Sequence, residues 1–330
     1  MLDVLMSLPI LSYFAAPALT SWSTSLNILF FYMTWMTLVL SYSPLKIELV
    51  GTLAVRVALW LIPSLVFLLF DAGIPSLSES IKLYGSTSLP RRNATTLAKQ
   101  LLLAVVNLLL FSAVQAALSV GATTLLKGPL FKTSTTLPLP WQMIKHIGWL
   151  YVSREFLTYY IHRHFLHSRG LLTNLHSRYG HCHRGAPYSL MLYADHPLPL
   201  MLHRLLPVYL PSLFIRPHLL TYFLFTIFTT IEETMSMSGY SIVPGIIMGG
   251  IARRTGTHYA SGGQGNFGAF GILDWINGTS VGKNVIRDIQ DEAEKHQLKE
   301  RGENAADDAG NLLQDGVDRV RRSRRNGKKD

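Results

Sequence analysis

Uninterrupted apolar stretches dominate the first third of the chain. Residues 24–42 and 100–121 carry no charged side chain, and residues 47–70 carry only Glu48 and Arg56. A helix needs roughly 20 predominantly apolar residues to cross a bilayer, and all three stretches have about that length. They predict three membrane-spanning helices, in which Arg56 faces protein or reaches towards the membrane surface because a charge within lipid is costly.

A further apolar stretch, residues 198–236, contains two proline interruptions at Pro211 and Pro217. Proline removes a backbone hydrogen bond and favours a break in a helix. The stretch therefore predicts a re-entrant or tight membrane hairpin rather than two full spans. The adjacent carboxylates Glu232 and Glu233 are expected to end this hairpin at the membrane interface.

The charged residues are few and unevenly distributed. Of 330 residues, 48% are hydrophobic and 15% are charged, whereas a soluble domain carries about 25% charged residues. Residues 283–330 alone contain 12 of the 30 Lys and Arg and 11 of the 20 Asp and Glu. These numbers predict an integral membrane protein with a polar, largely disordered tail. The basic end of that tail suits anionic lipid headgroups, so nucleic acid is not an expected partner.

The same pattern divides the chain into three regions. Residues 1–121 would form the N-terminal transmembrane helices, residues 122–282 a histidine-rich region that includes the hairpin 198–236, and residues 283–330 the charged tail. A hairpin returns to the side from which it started, so the histidines before and after it lie on one side of the membrane. The basic tail predicts that this shared side is cytoplasmic.

Cysteine and histidine counts limit the metal chemistry that is possible. The single cysteine, Cys182, excludes an intramolecular disulfide framework and a four-cysteine zinc or iron–sulfur site within one chain. Twelve histidines are present. Neutral imidazole is the commonest metal ligand in proteins, which makes a nitrogen-rich metal site the favoured chemistry.

Most of the histidines outside the apolar stretches crowd into one segment. The candidate metal ligands are His162, His164, His167, His176, His181, His183, His196 and His258. On a regular helix His164 and His167 share a face, whereas His162 lies on another face unless the helix is distorted. The spacing of the next group predicts a turn after Tyr179 and Gly180. Individual histidines of this kind are also common as polar residues near lipid headgroups.

In their order, these motifs resemble the sterol desaturase/fatty acid hydroxylase superfamily of membrane di-iron oxygenases. The resemblance covers roughly residues 150–280 and rests on short segments: YYIHRHFLH from Tyr159, HSRYGHCH from His176, ADHP from Ala194, SGY from Ser238, HYASGG from His258, NFG from Asn266 and DWINGT from Asp274. It implies an all-α integral membrane protein, a helical bundle of about four to five membrane segments with a cytoplasmic histidine-rich helical cap.

The resemblance also implies a chemistry. Two iron ions held by the eight histidines would use O2 as co-substrate to hydroxylate or desaturate a sterol, fatty acyl, sphingoid or related lipid in the endoplasmic reticulum membrane. Glu155 would orient a metal-bound imidazole by accepting its N–H, and Asp195 would do so for His196. Electrons would come from an external donor, such as a cytochrome-b-type haem protein with its reductase, because the sequence has no haem-attachment or dinucleotide-binding motif.

Several motif positions depart from the superfamily pattern. The first two histidine boxes are stretched, Met237 replaces the histidine that precedes Ser-Gly-Tyr, and the last box keeps only His258. These departures leave open an alternative, a catalytically inactive relative that binds a lipid or a partner protein. A metal transporter is the weaker third possibility, because its ligands would lie at the membrane midplane rather than in polar segments.

Overall fold

The computed structural model describes residues 22–91, 93–183 and 185–283, together with 285–287, 290 and 294. This part of the chain is almost entirely helical and contains no strand beyond two isolated β-bridges. Its helices are α1 (Trp22–Ser41), α2 (Pro44–Gly73), α3 (Pro75–Ile81), α4 (Ala94–Leu126), α5 (Pro140–Ile161), α6 (Leu171–Tyr179), α7 (Pro197–Ile215), α8 (Leu219–Ser236), α9 (Ile246–Ala260) and α10 (Ile272–Ile276). Short 3₁₀ turns occupy Gly85–Ser88 and Ser189–Leu192. Most of the predicted tail lies outside the described residues.

The chain is an all-α membrane protein. Within the described residues, α2, α4 and α7 are long and apolar enough to cross a bilayer, and the apolar part of α1, Leu26–Ser41, is shorter. The sequence predicted about four to five membrane segments. By length and apolar composition, three helices of the described region qualify.

Within residues 198–236 the chain forms α7 and α8 and reverses at Pro217, which is one of the two predicted breaks. Pro211 lies inside α7, and the chain reverses between α7 and α8 at Arg216–His218, where Arg216 has a left-handed backbone (φ 47°). A proline near a helix end removes only one backbone hydrogen bond, and α7 packs along α5 in one of the most extensive helix contacts of the fold. The break predicted at Pro211 is therefore wrong.

Three π-helical turns interrupt the regular helices. They are Val57–Leu61 in α2, His162–Leu166 directly after α5, and Met201–Leu205 in α7. A π turn inserts one extra residue and bonds residue i to residue i+5, and such turns are frequent at functional sites. Two of these three turns contain a histidine of the candidate metal centre described below: His162 and His203.

Charged side chains in the predicted spans are buried against protein. Glu48 accepts hydrogen bonds from Gln115 and Ser119 of α4, and the Arg56 guanidinium lies 4.4 Å from the centre of the Phe111 ring. Both residues are only 3% exposed. Buried ionisable groups are found paired or hydrogen-bonded because desolvation is costly, so these contacts tie α2 to α4.

Candidate metal centre

Six imidazoles gather in one buried cluster between α5, α6, α7 and α9. The ring of His162 has its centre 4.7 Å from that of His167, 5.5 Å from His176, 4.7 Å from His258 and 4.1 Å from His203. His181 completes the group, with its ring centre 5.0 Å from that of His167. We call these six residues the histidine cluster.

The π-helical turn after α5 decides which histidines of the first box point inwards. The His167 amide donates to the His162 carbonyl at 3.1 Å, which is an i→i+5 bond. This register places His162 and His167 on one face and absorbs the extra residue of the stretched HRHFLH box. His164 instead is exposed and stacks on Tyr160 at 5.9 Å. The pairing of His164 with His167, expected from a regular helix, is therefore not what the structure shows.

The second box repeats this spacing at the end of α6. The helix ends at Tyr179, as predicted, and the His181 amide donates to the His176 carbonyl at 3.2 Å across five residues. Gly180 lies between them, and a Cβ there would stand 2.9 Å from the His176 ring and 3.1 Å from Asp195. The glycine lets the ring and the carboxylate approach each other.

Hydrogen bonds fix the orientation of three rings. Nδ1 of His162 donates to the Phe267 carbonyl at 2.9 Å, Nδ1 of His176 to the Asp195 carboxylate at 2.6 Å, and Nδ1 of His258 to the Gly265 carbonyl at 2.6 Å. In each ring Nε2 then carries the free lone pair. Nε2 of His176 and Nε2 of His258 are buried without a hydrogen-bond partner. Partnerless buried acceptors of this kind fit a metal ion.

Burial favours the neutral form of four of these imidazoles, because it lowers the pKa of His162, His167, His181 and His258. Desolvation, reinforced by the neighbouring histidines, lowers the pKa of His167 to about 2 and that of His258 to about 4. The same causes lower the pKa of His162 and His181. Neutral imidazole is the form that binds a metal. Four of the rings, His162, His167, His176 and His181, have ligand atoms that all lie within 4.8 Å of one another.

A loop after α9 closes over the cluster and is held by the two acidic residues Glu155 and Asp274. Glu155 accepts from the amides of Ala269 and Phe270, and Asp274 accepts from those of Phe267 and Gly268. Burial raises the pKa of both carboxyl groups. Glu155 therefore holds the loop that carries the Phe267 carbonyl. Both loop amides bind Oε2 of Glu155, its Oε1 is buried without a hydrogen-bond partner, and no imidazole of the described residues donates to it.

Asp195 orients a different ring from the one expected. Its carboxylate accepts from the ring of His176 and from the backbone amide of its chain neighbour His196, but not from the His196 ring. Nδ1 of His196 accepts from the Leu198 amide and caps α7. His183 bonds the Thr87 carbonyl at 2.8 Å. The structure thus brings five of the eight predicted ligands together and leaves His164, His183 and His196 outside, since each of those rings is directed elsewhere by a local contact.

His203 joins the cluster from within an apolar helix. It lies in the π-helical turn of α7 and is 8% exposed. His203 is not among the ligands predicted from the sequence, in which it falls within the apolar stretch 198–236. An ionisable side chain inside a membrane segment is itself an indicator of function, and that criterion would have selected it.

Positions where the superfamily pattern has histidines contain other residues. Met237 is 1% exposed and belongs to the hydrophobic core. The last box has Ser261, Gly262 and Gly263 in place of the paired histidines. Gly263 has φ +85°, and an added Cβ would lie 2.6 Å from Nδ1 of His167. The His167 ring thus occupies the space in which a side chain at position 263 would stand.

A cavity opens beside the cluster. His162, His203 and His258 line it together with Arg154, Arg204 and Glu232. Nη1 of Arg154 donates to both oxygens of Glu232 at 2.9 and 3.0 Å, and Glu233 accepts from Arg154 at 3.0 Å and from Arg204 at 3.2 Å. Glu232 is 6% exposed. Glu232 and Glu233, near the end of α8, are therefore part of an ion-pair network at the cavity.

Comparison with known proteins agrees with this geometry. Residues 147–279, which contain the whole histidine cluster, match the sequence profile of the fatty acid hydroxylase family. No solved structure gives a significant match. The chain therefore carries a fatty acid hydroxylase family domain over residues 147–279, consistent with the sterol desaturase/fatty acid hydroxylase superfamily that its motifs resemble.

Proposed function

We propose that this protein is a membrane-bound, O2-dependent lipid oxygenase, a hydroxylase or desaturase whose iron is held by the histidine cluster. The observation that supports this most strongly is the convergence of the ligand atoms of His162, His167, His176 and His181 within the region that matches the fatty acid hydroxylase family. A cluster of this composition is costly to bury unless a ligand uses its lone pairs.

The donor set suits iron. Imidazole nitrogen binds iron and zinc well, and the four closest donors include no carboxylate or thiolate. His162, His167, His176, His181 and His258 would hold the metal. When bound, iron supplies the reduction of O2 and the oxidation of an unactivated C–H bond. The protein holds the rings in place through Asp195 and through the carbonyls of Phe267 and Gly265.

A surface groove supports a lipid as substrate. Phe228, Ile231, Ile247, Met248 and Phe270 line an apolar groove between α8 and α9. The groove shares Glu232 and Ile251 with the cavity beside the histidines. A hydrocarbon chain suits such a lining, and the exposed outer residues would face membrane lipid. We infer that an acyl or sterol substrate reaches the cluster from the bilayer along this groove.

Hydroxylation consumes one O2, two electrons and two protons and releases water, so a reductant is required. We propose an external donor of the cytochrome-b type with its reductase, because the sequence has no motif for a haem or a dinucleotide. We further propose an endoplasmic reticulum location with the cluster and the tail in the cytoplasm, where such a donor and the lipid substrate would both be accessible.

Lipid profiling of a deletion strain against rescued strains tests this function. The wild-type gene should restore a hydroxylated or desaturated lipid that the deletion strain lacks, and His176→Ala and His181→Ala should not. His164→Ala is the matched control, because that ring is exposed and outside the cluster. Full rescue of the lipid profile by both cluster variants would refute a metal-dependent oxygenase.

A second candidate function is a catalytically inactive relative that binds a lipid or a partner enzyme. Met237 and the last box favour it, because Met237 replaces one histidine of the superfamily pattern and the last box has Ser261, Gly262 and Gly263 in place of its paired histidines. In that case a cellular phenotype of the deletion would be rescued equally by wild type, His176→Ala and His181→Ala, with no lipid product changed.

A further inference from the structure

The nitrogen atoms of the cluster are spaced as the donors of one coordination sphere. Nε2 of His167 lies 3.1 Å from Nε2 of His162 and 3.3 Å from Nε2 of His181. With metal–nitrogen bonds of about 2.0–2.1 Å, neighbouring donors around one ion stand about 2.9–3.4 Å apart. His167 thus occupies a position adjacent to both other rings around a common centre.

His176 belongs to the same sphere. The ligand atoms of His162, His167, His176 and His181 all lie within 4.8 Å of one another, and donors on opposite sides of one ion are about 4.2 Å apart. Ions in a two-metal site stand about 3.5–4 Å apart and each needs its own donors. Four nitrogens within this distance of one another can surround one ion, whereas dividing them between two ions would leave each with only two of them.

Few donors remain for a second ion in the described part of the chain. His203 and His258 are the other two members of the cluster. The nearby carboxylates of Glu232 and Glu233 already bind Arg154 and Arg204.

We propose that this centre binds one metal ion through His162, His167, His176 and His181, in place of the two that the resemblance implies. The proposal rests on the proposed metal-dependent function. His258 has a buried, partnerless Nε2 beside the same rings, and it lies outside the group of four mutually close donors. His203 stands beside this sphere, at the wall of the cavity, where the O2 and the substrate would approach.

Metal content of the intact protein tests the proposal. The full chain would be purified in detergent from iron-supplemented cells, and iron and zinc per chain measured by mass spectrometry. We expect about one ion per chain, and the ferrous nitric oxide adduct should give a half-integer-spin resonance that accounts for all the iron. Two antiferromagnetically coupled ions would give no such signal.

Variants show which residues hold the ion. His203→Ala and the control His164→Ala should both keep about one ion per chain, whereas His167→Ala should lose most of it at an unchanged elution volume on size exclusion. Two ions in the wild type, falling to one in His203→Ala, would overturn the single-ion proposal and leave the oxygenase function standing. Fewer than about 0.2 ions per chain in the wild type would overturn both.

Discussion

Gly263 is the position where one added methyl group should disable the metal centre. It has φ +85°, and a Cβ built on it would lie 2.6 Å from Nδ1 of His167 and closer still to Cε1. Ordinary van der Waals contact begins at 3.4 Å, so the ring must retreat by at least about 0.8 Å, the difference between these two distances. His167 is adjacent to both His162 and His181, so this displacement removes a donor from the centre of the cluster.

The neighbouring Gly262 provides a matched control. Its φ is +69°, and a Cβ there would meet nothing within 4 Å. Alanine in a left-handed backbone costs about 1–2 kcal/mol at either position. Overpacking against a ring adds about 1–3 kcal/mol at Gly263 alone. Gly262→Ala therefore reports the backbone cost without the collision, and the difference between the two variants isolates the effect on His167.

Metal affinity and thermal unfolding in detergent measure this difference. We expect Gly263→Ala to bind metal ~10–100-fold more weakly than wild type, the loss typical when the support of a ligand is disturbed, and to unfold at a lower temperature than Gly262→Ala. Gly262→Ala should keep wild-type metal affinity. Equal metal affinity in the two variants would refute the argument that the backbone of Gly263 positions His167.

Three further predictions follow from the same contacts. Asp195→Asn should weaken metal binding ~10–100-fold because it removes the carboxylate that holds His176, and unchanged affinity would show that the ring needs no such support. Ile251→Trp should block the junction of groove and cavity, so lipid product is lost while metal content persists; retained product would exclude this route. In the metal-free protein, stability should fall as pH drops from about 6.5 towards 4. The unfolded chain takes up protons there that folded His258, with its pKa lowered to about 4, does not. A pH-independent unfolding temperature would contradict this.

The sequence by itself was sufficient to predict the class of the protein and a nitrogen-rich metal site. Apolar stretches of membrane-spanning length, few charges and many histidines depend only on composition and local order, and they predicted an all-α membrane protein with a nitrogen-rich metal site. The ordered motifs between residues 150 and 280 also predicted the superfamily, which the family match over 147–279 bears out. These properties follow from local pattern, since bilayer thickness and ligand preference act on residue type.

Only the tertiary structure decided which histidines meet. A regular helix would pair His164 with His167, and the π-helical turn pairs His162 with His167 instead. The register of backbone hydrogen bonds sets the face of each side chain, and spacing in sequence does not fix that register. A one-residue shift between i→i+4 and i→i+5 bonding was sufficient to exchange the inward and outward residues.

Long-range packing decided the remaining partners. Asp195 binds His176 across 19 residues, Arg154 binds Glu232 across 78 residues, and His203 enters the cluster from α7. Each of these contacts forms because burial makes an unpaired polar group costly, and the available partner depends on which helices pack together. The sequence therefore specified which polar groups need a hydrogen-bond or ion-pair partner when buried. The packing of the helices decided which residue is that partner.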